Sequence, residues 1–187
     1  MKKIVLCLMV SLLSGCFFST PNSTFYLLES NAELEPVSQK RLSIAVQDVL
    51  LPDYLQKPQI VLQKENSPEL KVSEFNRWGS DLEGMIQNTL IEDFQRSFPQ
   101  GTIKPLLFGS SAQYIVKLNI EKMTGFLRQD AVLSGSWQIL NRSNKVLRQA
   151  DFKLTTPAGR TYGSYVSAQS KLISELACEI AQAIEAL

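Results

Sequence analysis

Three cysteines, eighteen carboxylates and no histidine set the chemistry open to this chain of 187 residues. Without an imidazole the commonest general base and the commonest metal ligand are missing. A Ser-His-Asp triad cannot be built. A zinc site would have to come from cysteine and carboxylates alone, an implausible set. Gly-Ser pairs occur at Gly79-Ser80, Gly109-Ser110, Gly135-Ser136 and Gly163-Ser164. None sits in the G-x-S-x-G frame of a nucleophile elbow, and all read as turns, thinned strands or helix starts. No glycine-rich phosphate loop follows a strand, so no nucleotide site is expected. The closest carboxylate pairs are Asp81 with Glu83 and Glu92 with Asp93. The first pair falls in a first helical turn, where the helix dipole favours negative charge whatever the function. The second flanks Phe94 on what reads as a solvated helix face. The expectation is therefore no catalytic residue, no metal, no cofactor and no enzymatic activity.

The cysteines carry the remaining covalent chemistry. Lys2 and Lys3 precede an apolar run over residues 4–13, broken by Ser11, and the small residues Ser14 and Gly15 then lead into Cys16. A charged start, a short apolar centre and small residues make a secretory signal. The run is too short to span a bilayer, which takes about 20 residues. Leu13-Ser14-Gly15-Cys16 resembles the lipobox of bacterial lipoproteins, against the alternative of an ordinary signal with a chance cysteine. That resemblance implies a diacylglyceryl thioether on Cys16, cleavage before it and acylation of the new amine, palmitate being one such chain. The organisation expected is a signal peptide over 1–15, a lipidated tether over 16–24 and one domain over 25–187. Several acyl chains, at about 0.8 kcal/mol per buried methylene, anchor far more firmly than one. Cleavage removes Lys2 and Lys3 and takes the formal charge from +1 to −1, which leaves no basic surplus for nucleic acid. Cys7 leaves with the signal and Cys16 is consumed by lipid. Cys178 then stands alone, so no intramolecular disulfide can form and the fold must stand on its core.

The elements that position these groups follow from periodicity. Strands are expected over residues 25–28, 42–49, 59–63 and 70–74, with a polar loop over 30–40 and a turn over 52–58. The period then changes: Leu82, Ile86, Leu90, Phe94 and Phe98 recur every four residues. This is an amphipathic helix with Ser80 and Glu83 at capping-box spacing, ended by Pro99 and Gly101. Gly84 inside it invites close packing against a sheet. Three strands follow over 113–121, 133–139 and 146–154, the last two joined as a hairpin by a polar turn at 141–144. Val166, Ile173, Ile180 and Leu187 fall seven apart, with Leu176, Ala177, Ala183 and Ile184 on the same face, and make a second helix. Cys178 lies on its opposite face and reads as an ordinary small helix residue, or else as part of a covered face.

Two segments group residue types that packing alone need not group. The first runs from Val49 through Pro52, Asp53, Tyr54, Leu55 and Pro58 to Val61. Pro52 fixes its own φ and keeps Leu51 out of the helical region. The second is Phe75-Asn76-Arg77-Trp78-Gly79-Ser80-Asp81-Leu82. Trp78 reads equally as a core anchor or as part of a partner surface, where Trp, Tyr and Arg dominate the energetics. Pro52, Tyr54, Leu55, Arg77 and Trp78 are the candidate partner or oligomer contacts.

These residues carry a resemblance to the ABC-type transport auxiliary lipoprotein family. Pro52-Asp53-Tyr54-Leu55 with Pro58-Gln59-Ile60-Val61 resembles its "P-x-Y-L … P-Q-I-V" signature, and Arg77-Trp78 with Leu82 its "R-W-x-x-x-L" signature. The lipobox, Phe25-Tyr26-Leu27, Gly135-Ser136-Trp137 and the C-terminal helix extend the match over nearly the whole mature chain. Gly79-Ser80-Asp81 departs from an Ala-Glu-Pro common in relatives, yet keeps a helix start. The resemblance implies a mixed α/β domain, about six strands packed with two long helices, similar to the N-terminal domain of TolB. It implies a non-enzymatic accessory of an MCE-type lipid transport system, lipid-anchored at the outer membrane of a Gram-negative bacterium and facing the periplasm. Phe17, where enteric inner-membrane lipoproteins carry aspartate, agrees with the outer membrane. The implied partners are an MCE-domain protein, the membrane itself and further copies of the chain, as a homo-oligomer or ring. The competing readings are an envelope-assembly lipoprotein acting only through protein contacts, and a lipid-modifying enzyme.

Overall fold

The computed structural model describes residues 21–30, 34–64, 67–107 and 112–187. The signal segment, Cys16 and the first part of the tether lie outside the described residues. Along the chain come β1 (Thr24–Tyr26), β2 (Ser43–Val46), a 3-10 turn (Asp53–Leu55), β3 (Gln59–Gln63) and β4 (Leu70–Trp78). Then follow α1 (Leu82–Ser97), β5 (Thr102–Pro105), β6 (Tyr114–Gly125), β7 (Asp130–Asn141), β8 (Val146–Pro157) and α2 (Tyr162–Glu185).

The fold is the mixed α/β domain with two long helices that the sequence predicts. The strands differ in number and grouping: among the described residues eight form two sheets, ordered β1-β4-β3 and β5-β2-β6-β7-β8. In the small sheet β1 runs parallel to β4 and β3 antiparallel. In the large sheet β2 is parallel to both β5 and β6, and β6, β7 and β8 form an antiparallel meander. β5 escapes the sequence reading because four residues with one buried side chain, Ile103, carry no visible period. β4 runs on to Trp78, well past the expected end, after a register slip of its pairing with β3.

Alternation drives the meander. Ala131, Leu133, Gly135, Trp137 and Ile139 of β7 are buried while the residues between them are partly exposed. Gly135 is required where it stands: a Cβ there would lie 2.0 Å from the Asn119 carbonyl oxygen, beside a bulge between Ile120 and Lys122. The β7–β8 turn forms as predicted. Asn141 Oδ1 accepts from the backbone N–H groups of Ser143 and Lys145, both at 2.9 Å, and Asn144 takes φ 60°.

Both helices lay their apolar stripes on one core that spans the two sheets. Leu82, Ile86, Leu90, Phe94 and Phe98 are all buried, as are Val166, Ile173, Ile180 and their predicted neighbours. Leu187 is the exception: it lies beyond the end of α2 and is exposed. The cap of α1 is Asp81, one residue later than predicted, with its carboxylate accepting from Gly84 N–H at 2.8 Å. Gly84 therefore serves the cap rather than a sheet contact, since its missing Cβ would face the Asp81 carboxylate at 3.3 Å. α2 opens on a capping box between Thr161 and Ser164.

Candidate functional site

Pro52 holds φ −66° and ψ 150°, extended geometry that aims the chain into the 3-10 turn. The turn is closed by Leu55 N–H donating to the Pro52 carbonyl at 2.9 Å, and Gln56 Nε2 ties it back to the Leu51 carbonyl at 2.9 Å. This rotation drops Leu55 into the core and leaves Pro52 and Tyr54 partly exposed. The Tyr54 hydroxyl accepts from Met123 N–H at 3.3 Å, which pins the turn to the end of β6. Burial pushes the Tyr54 hydroxyl above its ordinary pKa, against the opposing pull of the Met123 bond.

The second motif meets the first directly. Trp78 N–H donates to the Pro58 carbonyl at 2.7 Å, and the Trp78 ring, 4% exposed, belongs to the same core as Leu55 and Leu82. A cleft of about 310 Å³ remains between the 3-10 turn and the start of α1, lined by Leu51, Lys57, Trp78, Ser80, Asp81 and Glu83 among others. Glu83 has its carboxyl raised above the ordinary range, by burial first and then by repulsion from Asp81 and Asp48. These charges give the cleft an acidic rim next to Lys57.

Arg77 goes the other way. Its strand partners are Phe25 on β1 and Gln59 on β3. Alternation along β4 puts it on the side of the small sheet opposite Trp78. The side chain is half-buried, and its Nε is buried with no hydrogen-bond partner among the described residues. A buried donor left unsatisfied costs about 1–3 kcal/mol. Of the five candidate contact residues, Leu55 and Trp78 thus sit in the core, while Pro52, Tyr54 and Arg77 keep surface to offer a partner.

The other sequence candidates divide. Asp93 is not on a solvated face: it is fully buried and accepts from the Ser30 hydroxyl at 2.5 Å, because the chain after β1 folds back over α1. Glu92 is exposed, so the pair does not converge. Cys178 is a free, half-buried thiol whose Sγ accepts from Gln182 Nε2 at 3.6 Å. No group of three or more metal-ligating side chains occurs among the described residues. No helix among them is long and apolar enough to cross a membrane. Sequence reasoning missed a larger groove, about 920 Å³, between β1 and α2. Phe25 and Leu27 line it and are 63% and 60% exposed. The signal was present as alternation in Phe25-Tyr26-Leu27, which turns only the middle residue inward.

Comparisons with known proteins agree with this architecture. The sequence aligns over its whole length with the intermembrane transport lipoprotein PqiC of Escherichia coli K12, at 26% identity over 192 residues and with 100% of each chain covered. The Shigella flexneri protein of the same name matches equally. Among solved structures, an uncharacterized protein superposes with a TM-score of 0.73 at 21% identity, covering 88% of this chain and 99% of its own. A Xanthomonas campestris protein superposes with a TM-score of 0.68 at 14% identity, covering 86% and 93%. Both show the fold. The family described as the ABC-type transport auxiliary lipoprotein component matches residues 26–181, and the chain belongs to that family.

Proposed function

We propose that this chain is a non-enzymatic accessory of an intermembrane lipid transport system, tethered by acyl chains on Cys16 to the periplasmic face of the outer membrane. Its task is to dock an MCE-domain protein. The observation that carries the reading is the match over the full chain to proteins named for intermembrane transport, within a family of transport auxiliary lipoproteins. The local geometry supports docking over catalysis. The two signature segments are joined by the Trp78–Pro58 bond; Pro52 and Tyr54 keep exposed surface at the 3-10 turn, and Arg77 keeps it on the other side of the small sheet. The half-buried Arg77, which forms no ion pair with a described residue, suits a carboxylate from a partner. Self-association finds support in β8, a twelve-residue edge strand paired on one side only, by β7.

The test is co-purification. Tagged, lipidated protein should retain an MCE-domain protein, and Arg77→Ala should lose that partner without losing the fold. An intact chain that captures no MCE protein sinks the transport reading and leaves envelope assembly in its place. Cys16→Ala should fold normally, fractionate away from the outer membrane and fail to complement a deletion. Full complementation by that variant would remove the anchor from the mechanism.

A further inference from the structure

We propose that the end of the domain from which the tether leaves is a bilayer-facing surface, shaped to rest on anionic lipid headgroups; the inference builds on the Cys16 anchor. Residues 17–23 separate Cys16 from β1. Eight residue steps at about 3.5 Å reach at most roughly 28 Å, so whatever surrounds β1 stays near the membrane. β1 is the edge of the small sheet, and Phe25 in it and Leu27 just after it turn out to solvent at 63% and 60% exposure. These two line the 920 Å³ groove whose other wall is α2, including Gly163 and Lys171. Gly163 stands against Tyr26, with the position of a Cβ 3.7 Å from the ring.

Two further cations stand near the first turn of α2, one from the β6–β7 turn and one from the segment before the helix. Arg128 and Arg160 line a neighbouring cavity of about 390 Å³, where the Arg128 N–H donates to the Gly159 carbonyl. Gly159 in turn abuts Ser164, the neighbour of the groove-lining Gly163, so the cavity and the groove both border the first turn of α2. Of the described residues lining the two, Glu29 is the single acid against Arg128, Arg160 and Lys171. None of those three cations forms an ion pair with a described residue. An exposed aromatic and a leucine flanked by unpaired cations, held within a short tether of a bilayer, match an interfacial lipid-binding surface. A chain whose mature charge is −1 has no general basic surplus, so this excess is local.

Bromolipid quenching tests it in the anchored protein. Trp78 and Trp137 are buried, at 4% and 3% exposure, so Phe25→Trp adds the one indole able to report the surface, and Leu27→Trp supplies a second reporter should the first perturb folding. Lipidated protein is placed in vesicles of brominated phosphatidylcholine alone or mixed equally with brominated phosphatidylglycerol. The expected result is a blue-shifted, quenched reporter in the mixed vesicles. Contact should weaken at low salt by about fivefold for each of Arg128→Gln, Arg160→Gln and Lys171→Gln. A reporter that stays solvated while the protein floats with its vesicles overturns the surface and leaves the anchor standing. Protein that does not float refutes the anchor, and the surface with it. A reporter already buried in lipid-free buffer for the Cys16→Ala chain, together with a doubled or higher mass, assigns the face to a second copy and overturns the bilayer.

Discussion

Replacing Trp78 and Arg77 separately by alanine tells support from contact at two adjacent positions. The Trp78 ring is 4% exposed and packs in the core with Leu55 and Leu82. Truncating a buried tryptophan costs about 3–5 kcal/mol, the removed transfer free energy plus the cavity left behind. With a total stability of about 5–15 kcal/mol, that is a large share. Taking a urea m-value of about 2 kcal/mol per molar, the midpoint should fall by about 1.5–2.5 M. Arg77 is half-buried with an unsatisfied Nε, so its removal takes away no made bond at that atom. Arg77→Ala should cost less than about 1 kcal/mol and move the midpoint by less than about 0.5 M. Tryptophan emission and circular dichroism through a urea titration, beside partner capture at a concentration where both variants are folded, give the two readouts. Trp78→Ala should recover partner binding in proportion to its folded fraction, and Arg77→Ala should stay folded and lose the partner. A Trp78→Ala protein as stable as its parent but unable to bind would refute the reasoning, because the ring would then be a contact and not a core anchor.

Other substitutions probe the frame around that site. Gly135→Ala drives a Cβ into the Asn119 carbonyl at the β6 bulge, and thermal unfolding should report a loss of about 3 kcal/mol. Asp81→Ala removes the α1 cap and should cost about 1 kcal/mol in chemical denaturation, while Asp81→Asn keeps most of it. Glu83 binds its proton more tightly folded than unfolded, so its charge opposes folding once the pH rises through the raised folded value. Glu83→Gln should therefore raise the melting temperature near neutral pH. The gain should vanish well below the ordinary value of 4.5, and an equal gain at both ends would show that charge is not the cause.

The long elements were legible because their burial is one-sided over many residues. The stripe Leu82-Ile86-Leu90-Phe94 and the sevenfold spacing of Val166, Ile173 and Ile180 needed no tertiary knowledge, and all of these are buried. β5 was invisible for the opposite reason: four residues gain strand geometry only from parallel pairing with β2. The split into two sheets is likewise a long-range property, since β1 reaches β4 across some fifty residues of chain. Asp93 misled because it adjoins exposed Glu92, while its partner Ser30 is sixty-three residues away. At the candidate site, composition could pair Arg with Trp but could not say that they face opposite sides of a sheet. That division depends on β4 continuing to Trp78, which the run Asn76-Arg77-Trp78-Gly79 does not announce.

The opposite facing of Arg77 and Trp78 also explains how a short motif can act as a unit without every member touching a partner. Trp78 is held twice, by its ring in the core and by its N–H on Pro58. Pro58 follows the 3-10 turn whose tyrosine is fastened to Met123. The Trp78 anchor thus fixes the end of β4, and with it the position of Arg77 on the outer face and the direction in which α1 departs. In the proposed docking role, specificity would reside in Pro52, Tyr54 and Arg77, and rigidity in Leu55, Pro58 and Trp78. Conservative exchange should then be tolerated unequally. Trp78→Phe keeps an aromatic ring in the core and should preserve docking, whereas Arg77→Lys loses the planar fork and should weaken it, although it keeps the charge.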